Sequence, residues 1–559
     1  MNPRSKVQWL CLFFVLFAAA CTSENIAADR SAADSGPPGT LPAARQSGTN
    51  DGAGGSTDGA AIETAVQGAT ESADGTAIDP AVLAALPVPV ADLQPIWTSS
   101  GAQRTEATTQ LDVSDFGAVP NDGQSDSAAF LAAVQQARQG GGVINVPSGA
   151  FLLTETLRLR SNITLRGVGP DTRLFFDLND ESGIAIQAEG EGNDSLWTDL
   201  TEVAEAGTTT LLVSNSAEFS VGDIIEVEQD NIEAMSSRPE WVVEWGEGSE
   251  GELARVAAVA PGVVELSSPL VSTYTRNRNA AVRPLDAVRN VGIESLYLSR
   301  QDTGYGHSIG FRYAADVWVT DVESEVTTRA HVGLDQVLDC SIQDSVFHDA
   351  DDFGDGGRAY GVSLARHTTS CLITNNTLYE LRHAIIIQLG ASGNVVAYNH
   401  ARGSAGYVDR QPRADLSLHG HWPQRNLFEG NVFDRVVLAD WWGPSGPTNT
   451  LLRNCVLDSL RVAEFSHDQI LLQNRVGSGG FTIEDDITGT VSFDNVVEGE
   501  VDGLDQAEIA AITAVPDSLW ATEAPEFLAD APWPPINPSS GESSACAIPA
   551  GERSPLGAS

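Results

Sequence analysis

From residue 288 onward, short apolar stretches alternate with polar turns, and one pattern recurs: about four mainly apolar residues ending at a small polar side chain. Its instances are VGIES, VWVTD, CSIQD, LITNN, VVAYN, LFEGN, TLLRN, ILLQN and VSFDN. They end at Ser295, Asp321, Asp344, Asn376, Asn399, Asn431, Asn454, Asn474 and Asn495. The intervals of 26, 23, 32, 23, 32, 23, 20 and 21 residues match one turn of a stacked coil of strands, with loops lengthening some turns. Asparagine tolerates a left-handed backbone and hydrogen-bonds its neighbours, which suits a tight bend between strands. Stacked asparagines can also bond to one another along the coil. These residues therefore read as scaffold.

Upstream the texture changes. SDSAAFLAAVQQARQ, residues 125–139, has a polar start, apolar residues at helical spacing and glycines after its end, which predicts a capped amphipathic helix. VINVP, FLLTETLRLR and ITLRGVG follow as short alternating strands. The run DFGAVPNDG, helix, GGGVINVPSG resembles the N-terminal signature of the pectate-lyase superfamily. The resemblance implies an all-β fold, a right-handed parallel β-helix with an N-terminal capping helix, here over residues 109–500. It says little of activity, because hydrolases, lyases, epimerases and phage tailspikes share the signature. Residues 198–283 read as an inserted antiparallel β-subdomain: TTTLLVSNSAEFSVGDIIEVE and GELARVAAVAPGVVELSSPLV as hairpins flanking a tryptophan-rich stretch.

The flanks carry other signals. Arg4 and Lys6 precede the apolar run VQWLCLFFVLFAAA, too short to span a bilayer comfortably. AAAC at Ala18–Cys21 resembles a bacterial lipobox, which implies a signal over residues 1–21, lipidation at Cys21, and, from Thr22, sorting to the outer membrane. Residues 22–108, rich in Ala, Gly, Ser, Thr and Asp, read as a flexible tether. Residues 501–559 read as a closing segment over the last turns and a disordered tail. Cys340, Cys371, Cys455 and Cys546 show no zinc spacing, and an exported chain permits disulfides without assigning them.

Net charge is −45, and Lys6 is the only lysine. Such a surface repels nucleic acid and anionic membrane. All nine histidines fall between His307 and His467, which marks this part of the coil as the place for chemistry near neutral pH. In the segment LSLHGHWPQRN, Leu416 and Leu418 point inward on strand alternation, which turns His419 outward. Equivalent positions on neighbouring turns gather Arg312, Asp335, Arg366, His367, Gln388, His419, His421, Trp442 and His467, flanked by Asp415, Asp440, Glu464 and Asp468. His419, His421, His383 and His367 are candidates for proton transfer. Arg312, Arg366 and Arg382 are candidate carboxylate clamps, and Trp422 and Trp442 are candidate sugar platforms, with His467 a further contact. Two histidines in His-Gly-His need a third ligand to hold zinc, and no spacing implies one. The loop FHDADDFGDGG crowds Asp349, Asp351, Asp352 and Asp355, which reads as a calcium site, as a carboxylate pair, or as a solvated acidic turn.

The expected function is action on a polysaccharide by an exported, lipid-anchored β-helix. Three readings stay open. One is β-elimination on a uronate-containing glycan. Another is hydrolysis by Asp351, Asp352, Asp415 or Asp440. The third is a surface scaffold that binds glycan without cleaving it. The polygalacturonase motifs are not carried over, because NTD and RIK are missing.

Overall fold

A computed structural model describes residues 90–105, 107–232, 240–353, 357–404, 413–438, 442–497, 500–501, 515–528, 531–536 and 546–553. The signal segment, Cys21, most of the tether, Asp355 and Asp440 lie outside the described residues.

One 28-stranded sheet, almost wholly parallel, winds as a coil with three strands per turn. A representative turn runs Leu372–Thr374, Thr377–Tyr379 and His383–Ile387. It stacks on the next turn with Leu372 opposite Val395, Thr377 opposite His400 and Ile385 opposite Leu416. Parallel strands joined by such crossovers wind right-handed. Inward columns are aliphatic: Ile309, Val332, Val362, Ile385, Leu416, Val436 and Leu460 stack in register, each at most 1% exposed. Each such side chain contributes about 1.5–3 kcal/mol through removal from water.

The N-terminal end is closed by the helix Ser127–Ala137, which buries Ala129, Phe130, Ala133, Val134 and Ala137. Phe130 meets Phe151 edge-on at 5.7 Å. Asp126, just before the helix, turns its carboxylate to the amide of Val119 (2.9 Å) and leaves the helix amides alone.

The asparagine ladder forms from Asn376 to Asn495. The Asn376 Nδ2 donates to Oδ1 of Asn399 (2.9 Å), Asn399 to Asn431 (3.1 Å), Asn431 to Asn454 (2.9 Å), Asn454 to Asn474 (3.0 Å) and Asn474 to Asn495 (2.9 Å). The left-handed bend, however, falls one residue earlier, at Asn375, Tyr398, Gly430, Arg453, Gln473 and Asp494 (φ 55, 55, 64, 51, 51 and 54°). Ser295, Asp321 and Asp344 are themselves left-handed (φ 50, 56 and 56°), so they belong to the bend column and not to the ladder. The true neighbour of Asn376 is Ser345, whose amide donates to its Oδ1 (3.1 Å). A second ladder, not anticipated, joins Asn394, Asn426, Asn449 and Gln469 (2.9, 3.0 and 3.1 Å) at another corner.

The insert is a seven-stranded antiparallel sheet between Glu191 and Asp286. Residues 208–228 do not make a hairpin. Thr210–Leu212 pairs with Val263–Leu266, and Ile224–Gln229 pairs with Glu250–Ala260 and Ala281–Asp286. The insert has its own core of Leu211, Val227, Val256, Val264 and neighbours. It is fixed to the coil by polar contacts: the Arg255 guanidinium reaches Asp316 (2.9 Å) and Asp339 (3.0 Å), and the Leu253 amide donates to Thr369 Oγ1 (3.1 Å).

Two flanking segments differ from expectation. The part of the tether from residue 90 packs on the coil: Val90–Thr98 is helical, and Leu93, Ile96 and fully buried Trp97 join Val395, Leu427 and Leu472. The Trp97 Nε1 donates to the Arg425 carbonyl (3.0 Å). Leu93, Ile96 and Trp97 supply the apolar face that the preceding Ala/Gly/Ser stretch lacks. The described C-terminal pieces lie along the side of the coil as well as near its end. The Leu519 amide donates to Glu429 (2.9 Å), Trp533 Nε1 donates to Tyr398 Oη (3.1 Å), and Cys546 forms a disulfide with Cys455. Cys340 and Cys371 are free and buried in the coil.

Candidate functional site

The face of interest, called the front face below, is the sheet that contains Tyr360–Ala365, His383–Ile387 and Leu416–Leu418. Leu416 and Leu418 lie in the core, so the strand register expected from sequence holds and His419 leaves the sheet outward. One outward column reads Arg158, Gln187, Gly310, Gly333, Ser363, Ile386, Ser417, Val437, Arg461. Beside it, Glu189, Arg312 and Asp335 are in register, and the same edge continues to Gln388 and His419, whose amides donate to Leu364 and Ile387 (3.0 and 2.8 Å).

Histidines and aromatic rings meet at the middle of this face. The His419 ring lies 5.5 Å from Trp442, 6.2 Å from His383 and 6.2 Å from Trp245, which the insert supplies. Trp245 also meets His421 at 4.4 Å and Trp442 at 5.4 Å. Tyr360 lies 5.4 Å from His383, and the Arg382 guanidinium sits 6.0 Å over the Tyr360 ring. The His383 Nδ1 donates to the Ala414 carbonyl (2.9 Å), which places its proton on Nδ1 and its lone pair on Nε2. Gly420, His421 and Trp422 are successive left-handed residues (φ 67, 57 and 68°). This tight bend carries the chain from His419 away from the sheet. A side chain at Gly420 would meet the backbone at Trp442 and Gly443 (2.9 Å), so this position requires glycine on two counts.

Other expected residues have different surroundings. Arg366 and His367 are taken by the insert. The Arg366 guanidinium donates to the carbonyls of Glu247 (3.0 Å) and Gly248 (3.3 Å). His367 is fully buried, with Nδ1 on Glu226 (2.6 Å) and Nε2 on the Gly248 carbonyl (2.8 Å). Both nitrogens are engaged, so its place is the joint between insert and coil, not an open strip. Glu226 is held far below the ordinary carboxyl range: burial would raise it, but Arg283 and His367 outweigh that. Trp422 lies along Gly446 of the next turn. Arg312 sits on the edge, 3.7 Å from Glu189 and 3.8 Å from Asp335. His467 lies two turns on, accepting from the Thr488 amide (3.1 Å).

The acidic loop does not gather its carboxylates. Asp349 lies in the strand Val346–Ala350 of another face and accepts from His348 Nδ1 (2.7 Å), Asp351 is exposed, and Asp352 pairs with Arg358 (3.3 Å). Strand alternation and the separate ion pairs pull these residues apart. Among the described residues they form no common ligand set for calcium. Asp415 is buried, and its Oδ2 accepts from the amides of Asp434 (2.6 Å) and Arg435 (3.0 Å) at a β-bulge. Burial pushes its carboxyl up to about 7. A carboxyl raised in the folded state contributes stability that is full below about pH 4 and is lost as pH rises through about 7. Asp415→Asn keeps an oxygen for both amides, so its melting temperature should fall less than that of the parent between about pH 5 and about pH 8. Equal slopes in the two proteins would show that Asp415 does not ionise in this way.

Sequence reading missed the group at the N-terminal side of the front face: Tyr305, His307, Arg329 and Arg358. Arg329 and Arg358 lie 5.5 and 5.3 Å over the Tyr305 ring. The His307 ring lies on Gly333, where an added Cβ would stand 2.6 Å from it. The available signal was glycine in an outward strand position, which marks close approach of another group. Burial, then Arg329, depresses the His307 imidazole well below its ordinary value.

Residues 110–199 match the model of the family described as rhamnogalacturonase A/epimerase, pectate lyase-like. No curated protein matches. Among solved structures, the Pseudomonas phage phi297 tailspike gp61 is similar at 15% identity, over 71% of this chain and 76% of that one, with a TM-score of 0.49. The Gp54 tailspike of Acinetobacter baumannii bacteriophage AP22, solved with capsular saccharide, is 12% identical over 69% and 70%, with a TM-score of 0.44. The Thermotoga maritima exopolygalacturonase is 11% identical over 74% and 97%, with a TM-score of 0.40. At these identities the likeness concerns the fold alone. The chain is a right-handed parallel β-helix whose residues 110–199 carry the pectate-lyase-like pattern.

Proposed function

We propose that this protein acts on a uronate-containing polysaccharide laid along the front face and cleaves it by β-elimination. The observation that carries the reading is the make-up of that face. Imidazoles and guanidiniums collect there, with tyrosine and tryptophan rings between them, in a chain of net charge −45. Arg382 would neutralise the sugar carboxylate, which acidifies the C-5 hydrogen. His383 Nε2 or His419 would take that proton as the C-4–O-4 bond breaks and C-4=C-5 forms, and the departing oxygen would take a proton from the other imidazole or from water. Trp442 and Trp245 would stack on sugar rings. Hydrolysis finds less support, since Asp415 serves backbone amides and Asp352 is paired with Arg358. Matching of residues 110–199 to a pectate lyase-like family agrees with a polysaccharide substrate. Export and a lipid anchor at Cys21 would place it at the outer membrane.

The test is incubation with uronic-acid and neutral polysaccharides. The expected result is an ultraviolet-absorbing unsaturated product from an acidic glycan only. Reducing ends without that absorbance would mean hydrolysis, and binding without products would mean a scaffold. Either outcome would overturn the lyase reading.

A further inference from the structure

The Tyr305–His307–Arg329–Arg358 group is built differently from the His383–His419 centre. Its strand position follows from register: Ile309 pairs with Val332, so His307 stands level with Ala330, and Ala330 pairs with Tyr360, and Tyr360 with His383. His307 and His383 thus occupy one column three turns apart, about 14 Å at the ~4.8 Å spacing of strands.

Three features of the group leave room for a ligand. The Arg329 guanidinium makes no hydrogen bond or ion pair among the described residues; its contact is the Tyr305 ring. Arg329 is partly exposed, so its guanidinium can meet a ligand. Tyr305 carries a second guanidinium, Arg358, whose one ion pair is the longer 3.3 Å contact with half-exposed Asp352. The His307 Nδ1 is buried with no hydrogen-bond partner. Two guanidiniums gathered at one aromatic ring, beside an imidazole, suit a planar anion carried on a sugar: the carboxylate takes the guanidinium fork, and a sugar hydroxyl meets the His307 ring.

We propose that Tyr305, His307, Arg329 and Arg358 form a separate binding subsite for an acidic sugar residue, three turns from the His383–His419 centre, that anchors the polymer lengthwise on the front face. The direction of the chain along the coil axis rests on the reading given under Proposed function; the subsite itself does not need cleavage. No covalent step occurs there.

The experiment uses the full chain and acidic oligosaccharides of two lengths, one too short to span both groups, with uncharged dextran as control. Calorimetric affinity is measured for the parent, Arg329→Ala, Arg329→Gln and His307→Ala, with circular dichroism to show that each is folded. Loss of a charge-assisted contact should weaken binding of the long oligosaccharide about 10- to 100-fold in both Arg329 variants. KM for the long substrate should rise with kcat little changed, while KM for the short substrate should stay near that of the parent. Dextran should not bind. If the parent binds acidic oligosaccharide with this Arg329 dependence but releases no product, the lyase reading fails and the subsite stands. If it releases unsaturated product while folded Arg329→Gln and His307→Ala keep parental affinity and KM at both lengths, the subsite is wrong and the lyase reading stands.

Discussion

Replacing His419 with alanine should lower turnover of the acidic glycan by about 10²- to 10⁴-fold, the usual contribution of a positioned acid or base. The ring leaves the sheet directly after core residue Leu418 and stands among His383, Trp442 and Trp245. Its backbone amide is bonded to Ile387, so substitution leaves the strand pairing in place. The measurement is kcat and KM with the cleaved glycan, with His383→Ala as companion. Two imidazoles acting on one bond should give non-additive losses, so the double variant should fall little below the worse single one. Full activity in His419→Ala would remove this residue from the reaction, and strictly additive losses would mean the two rings act separately.

The second large effect is on stability. Asn431→Ala should cost about 3–6 kcal/mol, because each buried group left without a partner costs about 1–3 kcal/mol. Asn431 Oδ1 accepts from the Asn399 amide (2.9 Å) and from Asn399 Nδ2 (3.1 Å), and Asn431 Nδ2 donates to Asn454 Oδ1 (2.9 Å) and to the Val396 carbonyl (2.8 Å). Asn431 is wholly buried, so bulk solvent does not replace those bonds. Denaturant unfolding of parent and variant reads the difference. By contrast Asn375→Gly, at the left-handed bend, should change stability less, because glycine accepts φ 55° readily and only one side-chain bond, Nδ2 to Asp344 (2.7 Å), is given up. Equal losses at the two positions would contradict the separation of ladder from bend.

That separation shows where sequence reading met its limit. The repeat was visible because each turn spends its apolar residues on one short inward strand, and the intervals gave the coil length. The identity of the bend residue was not visible. Ser295, Asp321 and Asp344 are small and polar like the ladder asparagines, yet they stand one position away. A single residue of offset is decided by which carbonyls a side chain can reach, and that requires the neighbouring turns. The same holds for Asp415: its sequence setting suggests an acid, while a bulge on the next turn supplies the amides that occupy it.

The candidate site was partly legible. Alternation around Leu416 and Leu418 turned His419 outward and put Trp442 on the same strip, where the rings lie 5.5 Å apart; His383, not on that strip by sequence, lies 6.2 Å from His419. The insert was not foreseeable in its effect. Its residues lie far upstream in sequence, but Trp245 meets His419 and His421, while Glu226 and Gly248 take up His367. Arg329 and Arg358 belong to different turns, and only stacking brings both onto Tyr305.

The sequence by itself determined what depends on periodicity within one turn: the strand pattern, the coil, the capping helix and the direction of His419. Strand alternation and turn propensity act over a few residues, so a single chain states them openly. The tertiary structure alone decided which outward side chains stay available and which are consumed. That outcome rests on contacts between turns and with the insert, where a carboxylate or imidazole bonds to whatever lies within about 3 Å, however distant in the chain.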